Sequence, residues 1–419
     1  MKKPKILSSL LTLGIAASLL CQSTVFAEET GTDAAVTATE SGSVTTNSIS
    51  GWPQAADISS EAAVVMENTT NTILYSKNAD EVLFPGSTVK IMTCLLALEN
   101  TQLTDEVTMT ATGVSGVTDG GASISSQVDE VFTMEQCLYA VMVSSANDIA
   151  LQIAEHVGGS VKNFVQMMND RAQALGCTNT IFTNPTGLPD DNQHTTAHDM
   201  ALIMQAAIQS DAFRTIAAAT SYTIPATNKA AARNLTSKFT MTDTGSTGFY
   251  EGCIGGKEGY TEASGSTLVC AAQRDGMTLI SVVLKGASGQ TSPDAASILN
   301  YSFEQFQMLS LGESDFSIIS GGDVVLPVGN GEDSLTTDDV QNGDKIQRTY
   351  LFNGTAVGSA VLEVAQADDT SVVQKGEQNM QAAKDYSDSH TYVPYYVIAG
   401  ALFLLLIFFI WRIVKVAKS

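Results

Sequence analysis

The stretch "FPGSTVKIM", Phe84 to Met92, places a serine directly behind Pro-Gly and a lysine three residues later, at the start of an apolar segment. Residues three apart on a helix are neighbours, about 5–6 Å apart at Cβ, so Lys90 can present its amine to the Ser87 hydroxyl. Burial lowers the pKa of a lysine, and a neutral amine can take the hydroxyl proton. The helix start also directs the Ser87 N–H where an oxyanion can bind. The stretch therefore predicts a serine nucleophile for acyl transfer.

Ser-x-x-Lys alone is a weak signal, because a helix cap followed by a lysine that extends to water gives the same letters. Ser145-Ala146-Asn147, between two helical segments, adds a hydroxyl and an amide. Lys257-Glu258-Gly259, at the start of an apparent strand, adds a cation that can hold a carboxylate. Each alone also fits a connecting loop or a charged strand edge. Together, their order is that of penicillin-binding proteins and serine β-lactamases.

The chain resembles the low-molecular-mass penicillin-binding proteins, which are serine-type D-alanyl-D-alanine carboxypeptidases. The likeness extends through three segments in order, "ILYSKNADEVLFPGSTVKIMTCLLALE", "VMVSSANDIALQIAEHVGGS" and "FTNPTGLPDDNQHTTAHDMALI". It implies an α/β (α+β) fold in which an antiparallel sheet is flanked by helices, with a helical subdomain and the active site between the two. A small all-β domain and a C-terminal transmembrane helix complete the family's usual layout.

The resemblance implies a role for each matching residue. Ser87 is the acylated nucleophile and Lys90 is its base, while Ser145 relays protons and Asn147 orients the substrate and the lysine. The predicted substrate-binding residues are Lys257, Glu258, Gly259 and Tyr260. Lys257 attracts the terminal carboxylate of the substrate, and the backbone N–H groups of Ser87 and Tyr260 form the oxyanion hole.

The implied reaction removes the terminal D-alanine from peptidoglycan stem pentapeptides, and β-lactams acylate the same serine as covalent inhibitors. It needs no metal and no organic cofactor. His194 and His198 have the i, i+4 spacing of a helix, but two histidines without a third ligand are a weak zinc signal.

Glu258 departs from the family pattern, in which a threonine hydroxyl at this position hydrogen-bonds the substrate carboxylate. Two ionised carboxylates about 4 Å apart repel by about 4 kcal/mol at an effective dielectric of 20. Three arrangements avoid this cost: a protonated Glu258, a Glu258 paired with Lys257 or another cation, or a side chain that points away from the cleft. Arg233 and Lys238 lie upstream, where the family often has a basic residue that binds the carboxylate, and neither is assigned.

Two other functions remain open from the sequence. Glu258 is compatible with a cell-wall binding or regulatory protein whose catalysis is weakened. A β-lactamase is less favoured, because residues 184–194 contain no Glu-x-x-Leu-Asn segment that would supply a deacylation base.

Composition shifts divide the chain into seven parts. A charged start, an apolar run and "VFA" at residues 25–27 predict a signal peptide, and the uncharged residues 392–411, followed by basic residues, predict a membrane span. The predicted boundaries are 1–27 signal peptide, 28–50 disordered linker, 51–305 peptidase domain, 306–384 β-domain, 385–391 linker, 392–411 transmembrane helix and 412–419 cytoplasmic tail. The expected location is the cell membrane, with a single span and the catalytic body outside.

The composition limits the classes of partner and the covalent cross-links that the chain is expected to have. Hydrophobic residues make up 44% of the chain, which is ample for packed cores, and the net charge of −23 disfavours nucleic acid as a partner. Five cysteines follow the signal, so no complete disulfide framework is implied. Cys94 and Cys137 are expected to be buried, and a bridge between Cys253 and Cys270 has no support from the sequence.

Local signals predict several elements. Residues 62–78 and the two runs joined by Asp275-Gly276 have the pattern of hairpins. Thr133 and Gln136 form a capping-box pattern before a helix, and another helix is predicted from about Ser87 to Leu98. Four runs from about residue 315 onward, "DFSII", "DVVLPV", "KIQRTYLF" and "TAVGSAVLEVAQ", predict short strands and suggest the β-domain.

Overall fold

The computed structural model describes residues 43–117, 121–312 and 316–364. The predicted signal peptide, transmembrane helix and cytoplasmic tail lie outside these residues. Within them, no helix is both long and apolar enough to cross a membrane.

Fourteen strands and eight α-helices are present in the described residues. The strands are β1 (Ala62–Glu67), β2 (Ile73–Lys77), β3 (Glu106–Thr108), β4 (Val131–Thr133), β5 (Ser221–Ile224), β6 (Arg233–Thr236), β7 (Cys253–Thr261), β8 (Gly265–Arg274), β9 (Met277–Gly286), β10 (Phe306–Ser310), β11 (Phe316–Pro327), β12 (Leu335–Asn342), β13 (Lys345–Phe352) and β14 (Thr355–Val364). The helices are α1 (Lys90–Asn100), α2 (Ala111–Ser115), α3 (Met134–Val143), α4 (Asn147–Gly158), α5 (Val161–Ala174), α6 (Ala197–Ala207), α7 (Asp211–Ala217) and α8 (Thr291–Gln305).

The first sheet is antiparallel with the strand order β2-β1-β9-β8-β7, so β7 is an edge strand. All six residues of β1 are buried, which explains the unbroken apolar run "AAVVM" before Glu67. Both predicted hairpins are present, and the β8–β9 turn uses Asp275 and Gly276, each with a positive φ. That backbone conformation is the reason for the Asp-Gly signal.

Helices pack on the first sheet and form the helical part of the domain. Thr133 and Gln136 make the predicted capping box at the start of α3, with side chain and backbone hydrogen bonds in both directions. The predicted helix from Ser87 begins as a 3₁₀ turn, Gly86–Val89, and continues as α1.

The predicted disordered linker, 28–50, is wrong at its end. Val44 is buried and bridges Lys77 of β2, and a 3₁₀ turn covers Thr45–Ser48. The Thr45 hydroxyl also donates to the main-chain carbonyl of Ser76 at 3.1 Å. A polar composition therefore does not prevent this segment from pairing with an exposed strand edge, because backbone groups supply the hydrogen bonds.

A second antiparallel sheet, with the order β10-β11-β14-β13-β12, lies in the region predicted as all-β. The runs predicted as two strands, "DFSII" and "DVVLPV", continue each other in β11, where the pairing register shifts near Ile318 and Gly321. β12 is missing from the sequence-based prediction. Its residues are nearly all exposed, so they carry no apolar alternation.

The two sheets share one apolar cluster. Trp52 lies within ring-contact distance of Phe306 (centroids 4.9 Å apart) and Phe352 (6.2 Å) from the second sheet. Its indole N–H donates to the carbonyl of Leu74 in the first sheet. The same cluster contains side chains from α8, including Leu299.

The five described cysteines are free thiols, and Cys94 and Cys137 are buried as predicted. No bridge joins Cys253 to Cys270.

Candidate active site

The Pro-Gly before Ser87 forms a tight turn that presents the serine at the edge of a cavity of about 800 Å³. Gly86 has φ +56°, a conformation that favours glycine. A Cβ on Gly187 would lie 1.9 Å from the Gly86 carbonyl oxygen. The glycine at 187 therefore lets its loop meet the nucleophile turn, and the glycine at 86 allows the backbone conformation of that turn.

Lys90 begins α1 and lies within hydrogen-bond distance of Ser87, with 3.2 Å between Nζ and Oγ. Its amine also donates to Asn147 Oδ1 at 2.8 Å and to the carbonyl oxygen of Thr186. The side chain is fully buried, and burial, with the nearby charge of Lys257, holds the pKa of Lys90 well below its usual value. A neutral amine facing a serine hydroxyl can act as a general base.

Ser145 and Asn147 lie where the sequence predicted, at the junction of α3 and α4. Ser145 has φ +59°, which turns the chain sharply between the two helices, and Asn147 is the first residue of α4. Both residues line the same cavity as Ser87. The Ser145 Oγ is buried without a hydrogen-bond partner in the described structure, so this hydroxyl is free to bind a group that enters the cavity.

The third motif lies in the middle of β7, because that strand begins at Cys253, four residues before Lys257, and not at the motif as predicted. A Cβ on Gly259 would lie 2.5 Å from the Ser87 backbone nitrogen. Only a glycine therefore allows β7 to approach the nucleophile so closely. Tyr260 follows along the strand and also lines the cavity.

Lys257 is buried, and its Nζ donates to the main-chain oxygen of Glu258 at 2.8 Å. Burial lowers the pKa of Lys257 to about 8, although the charge of Glu258 opposes the shift. At neutral pH this lysine is therefore largely charged, and it can attract an anionic group of a ligand.

Glu258 pairs with Leu268 across β7 and β8, whereas Lys257 pairs with Val269. Because successive side chains of a strand point to opposite faces, Glu258 and Lys257 leave the sheet on different sides. Burial raises the pKa of Glu258, and the charges of Lys257 and Lys238 oppose this. In the described part of the chain, neither lysine is within ion-pair distance of its carboxylate, so the paired arrangement, one of the three that the sequence left open, is not formed.

Glu258 is not turned fully away from the cleft, however. The residue lines both the cavity that holds Ser87 and a second cavity of about 550 Å³ beside the start of α8. The structure thus lies between two of the arrangements that the sequence left open. The pKa of Glu258 is raised toward protonation, and the residue is turned only partly away from the cleft.

The structure separates the two upstream basic residues. Arg233 binds Glu130 with both ends of its guanidinium, at 2.8 and 2.9 Å, so it has a structural partner. Lys238 is exposed and lines the cavity with Lys257 and Glu258. Sequence reasoning could not choose between them, because the irregular segment before β7 hides their register.

Two contributors to the site were not predicted as such. Thr186, whose carbonyl accepts from Lys90, lies in a turn closed by the Asn184 side chain, which accepts from the N–H groups of Thr186 and Gly187. The Thr267 hydroxyl of β8 donates to the carbonyl of Pro85 and so supports the nucleophile turn. The sequence does not show which backbone carbonyls enter a site, and a threonine in a strand is too common to indicate one.

The helical spacing inferred for the two histidines is wrong, because α6 begins only at Ala197. His194 contacts the carbonyl of Asn192, and His198 lies 3.3 Å from Asp80. Within the described ranges, no group of three or more His, Cys, Asp or Glu side chains is arranged to hold a metal ion.

The site thus combines a serine hydroxyl, a desolvated amine, an unpartnered hydroxyl and a buried cation around one cavity. Such a set can attack an acyl carbon, accept the proton, and hold an anionic end of the substrate.

Comparison with known proteins gives the same result. The D-alanyl-D-alanine carboxypeptidase family profile matches residues 50–288, more than half of the chain. D-alanyl-D-alanine carboxypeptidase DacF of Bacillus subtilis is 32% identical over 59% of this chain and 63% of its own length. A D-alanyl-D-alanine carboxypeptidase of Streptomyces is 32% identical over 59% of this chain and 88% of its own length.

Solved structures resemble the chain as well. A DD-transpeptidase of Streptomyces K15 is 30% identical to this chain, with a TM-score of 0.56. The match covers 59% of this chain and 99% of the transpeptidase chain. Penicillin-binding protein 6B of Escherichia coli covers 74% of this chain and 97% of its own with a TM-score of 0.62, but at 21% identity this likeness concerns the fold alone.

Proposed function

The chain belongs to the D-alanyl-D-alanine carboxypeptidase family of serine peptidases, and we propose that it removes the terminal D-alanine from peptidoglycan stem pentapeptides through an acyl-enzyme on Ser87. The observation that carries the proposal is the contact between the Ser87 hydroxyl and the buried Lys90 amine. Neither a wall-binding protein nor a β-lactamase is favoured by the family match.

In this mechanism, the Ser87 Oγ attacks the carbonyl carbon of the bond between the last two D-alanines, and its proton passes to the Lys90 Nζ. The Ser87 N–H, together with that of Tyr260, binds the oxyanion of the tetrahedral intermediate. The C–N bond then breaks, and the leaving amine takes a proton through the Ser145 hydroxyl. Water finally attacks the ester, which releases the shortened peptide and restores the serine.

Asn147 and Lys257 hold the reactants in this scheme. The Asn147 amide accepts from the Lys90 amine, which leaves its N–H donors for the substrate. Lys257 supplies the buried positive charge for the terminal carboxylate. β-Lactams would acylate Ser87 in the same way and remain bound as slowly hydrolysed esters.

Release of D-alanine from a pentapeptide stem by the purified chain, with fluorescent-penicillin labelling of the same sample, tests the proposal. Ser87→Ala should abolish both signals, whereas Ser317→Ala, an exposed serine of β11, should preserve both. Labelling or release that persists in Ser87→Ala would rule out this nucleophile.

The proposal extends to location. Residues 1–27 would direct export, and residues 392–411 would hold the chain in the cell membrane with its catalytic body outside. The support is the sequence pattern alone. A version that ends at Ser389 should move from the membrane fraction to the soluble fraction, and one that stays with the membrane would count against the anchor.

A further inference from the structure

Glu258 has features of a recognition residue. It lies in a half-buried position next to Lys257 and lines the cavity. Among the described residues, only the more distant charges of Lys257 and Lys238 act on its carboxylate, and no side chain or backbone group hydrogen-bonds it. The nearest cation along the chain, Lys257, donates a hydrogen bond to the main-chain oxygen of Glu258 and not to its carboxylate. A partly desolvated carboxylate without a donor is costly, and a ligand that brings N–H groups removes that cost.

The position of Glu258 along β7 relates it to the reacting bond. Gly259 is the residue that meets the backbone of Ser87, and Glu258 precedes it on this edge strand. An extended peptide advances by about 3.3 Å per residue. A substrate whose scissile carbonyl lies at Ser87 therefore places the neighbouring residue within reach of Glu258.

The charges in this part of the cavity are mixed. Lys257 and Lys238 favour an anion, but Glu258 disfavours a carboxylate that approaches the same wall. A ligand group that carries no negative charge and donates hydrogen bonds avoids this repulsion. A primary carboxamide meets both conditions, because it keeps a carbonyl oxygen for the lysines and offers two N–H donors to Glu258.

We propose that Glu258 is a specificity-determining residue that favours substrates whose leaving residue carries a carboxamide, or another N–H donor, in place of a free α-carboxylate. The inference rests on the proposed function, because it takes Ser87 as the nucleophile and the Lys257 side of the cavity as the leaving-group side. Stem peptides with a free terminal carboxylate remain substrates through Lys257, and the preferred class of peptide is one in which the released terminal residue is amidated.

The test uses two matched probes, one penicillin as the free acid and the same penicillin with that carboxylate converted to a primary amide. The rate constant for acylation of Ser87 by each probe is followed by the mass of the intact full chain. The quantity compared is the ratio of the amide rate to the acid rate. Both rates come from one sample, so an unfolded fraction of any variant cancels in the ratio.

Glu258→Gln, which removes the charge at constant shape, and Glu258→Thr should each lower this ratio by about tenfold, the scale of one hydrogen bond to a charged group. Glu262→Gln is the matched control, since Glu262 is exposed in the β7–β8 turn and borders neither cavity; it should leave the ratio unchanged.

Three results would contradict the proposal. Equal ratios in the unmodified chain and both Glu258 variants would show that the carboxylate does not discriminate. Equal acceleration of both probes in Glu258→Thr would show only general hindrance. Failure of both probes to acylate the unmodified chain at Ser87 would overturn the proposed function itself, and the inference would fall with it.

Discussion

Two of the regions that bury charged side chains hold them in opposite ways. Glu130, whose side chain is 0% exposed, accepts two hydrogen bonds from Arg233, one from the Thr227 hydroxyl and one from the backbone N–H of Gln127. Burial would raise the pKa of Glu130, but these donors outweigh it and hold the pKa below its usual value. This carboxylate is therefore stable in its ionised form.

Lys257 and Glu258 line the catalytic cavity, and Lys90 is buried next to Ser87; no carboxylate in the described residues pairs with either lysine. Burial shifts the pKa of all three groups toward their neutral forms. We conclude that the paired charges of Glu130 and Arg233 near β6 stabilise the fold. The unpaired ionisable groups near β7 are instead available for reaction, at some cost in stability.

Replacing Lys90 with methionine removes the amine that acts as general base and should have the largest effect. We expect D-alanine release to fall about a thousandfold, because a positioned general base contributes 10²–10⁴ in rate. Steady-state release by the purified variant measures this. Lys162→Met, at an exposed position of α5, is the control and should retain full activity; a similar loss there would show that the effect is not local.

Arg233→Leu converts the paired region into an unpaired one. The buried carboxylate of Glu130 then has no cation, and the free energy of unfolding should fall by about 3–5 kcal/mol. Urea denaturation measures the change, while penicillin labelling per folded molecule should stay constant. Lys229→Met removes an exposed partner of Asp129, 4.0 Å away, and should cost far less. Equal costs for the two variants would refute the distinction.

The pH profile of kcat/KM sharpens the account of the reactive region. Lys90 must be neutral to act as base, so activity should rise as the pH rises through its lowered pKa. Lys257 must be charged to attract a carboxylate, so activity should decline as the pH rises through about 8. Lys257→Arg keeps the charge and should move the falling limb to higher pH; an unmoved limb would assign it to another group.

Thr133→Ala sets the scale of a neutral hydrogen-bonded pair. It removes the capping box with Gln136 at the start of α3, and the free energy of unfolding should fall by about 1 kcal/mol. Thermal denaturation measures this. A loss as large as that of Arg233→Leu would mean that capping, and not charge pairing, dominates in this part of the fold.

The sequence predicted the elements whose cause is local. The Asp275-Gly276 turn, the capping box and the positions of Ser87 and Lys90 follow from backbone conformation and helix spacing. It could not place Lys238, because the contact of that residue with the cavity depends on the path of an irregular segment. Nor could it show that Glu258 faces two cavities, since that depends on how β7 lies at the sheet edge.

The apolar cluster shared by the two sheets has a consequence for how the protein loses its structure. Trp52 contacts Phe306 and Phe352, and Tyr301 of α8 joins the same group through Phe306. Neither sheet can open without exposing these rings to water, which costs about 25 cal/mol for each Å² of apolar surface. The first and second sheets should therefore unfold together, in one cooperative transition rather than as independent modules.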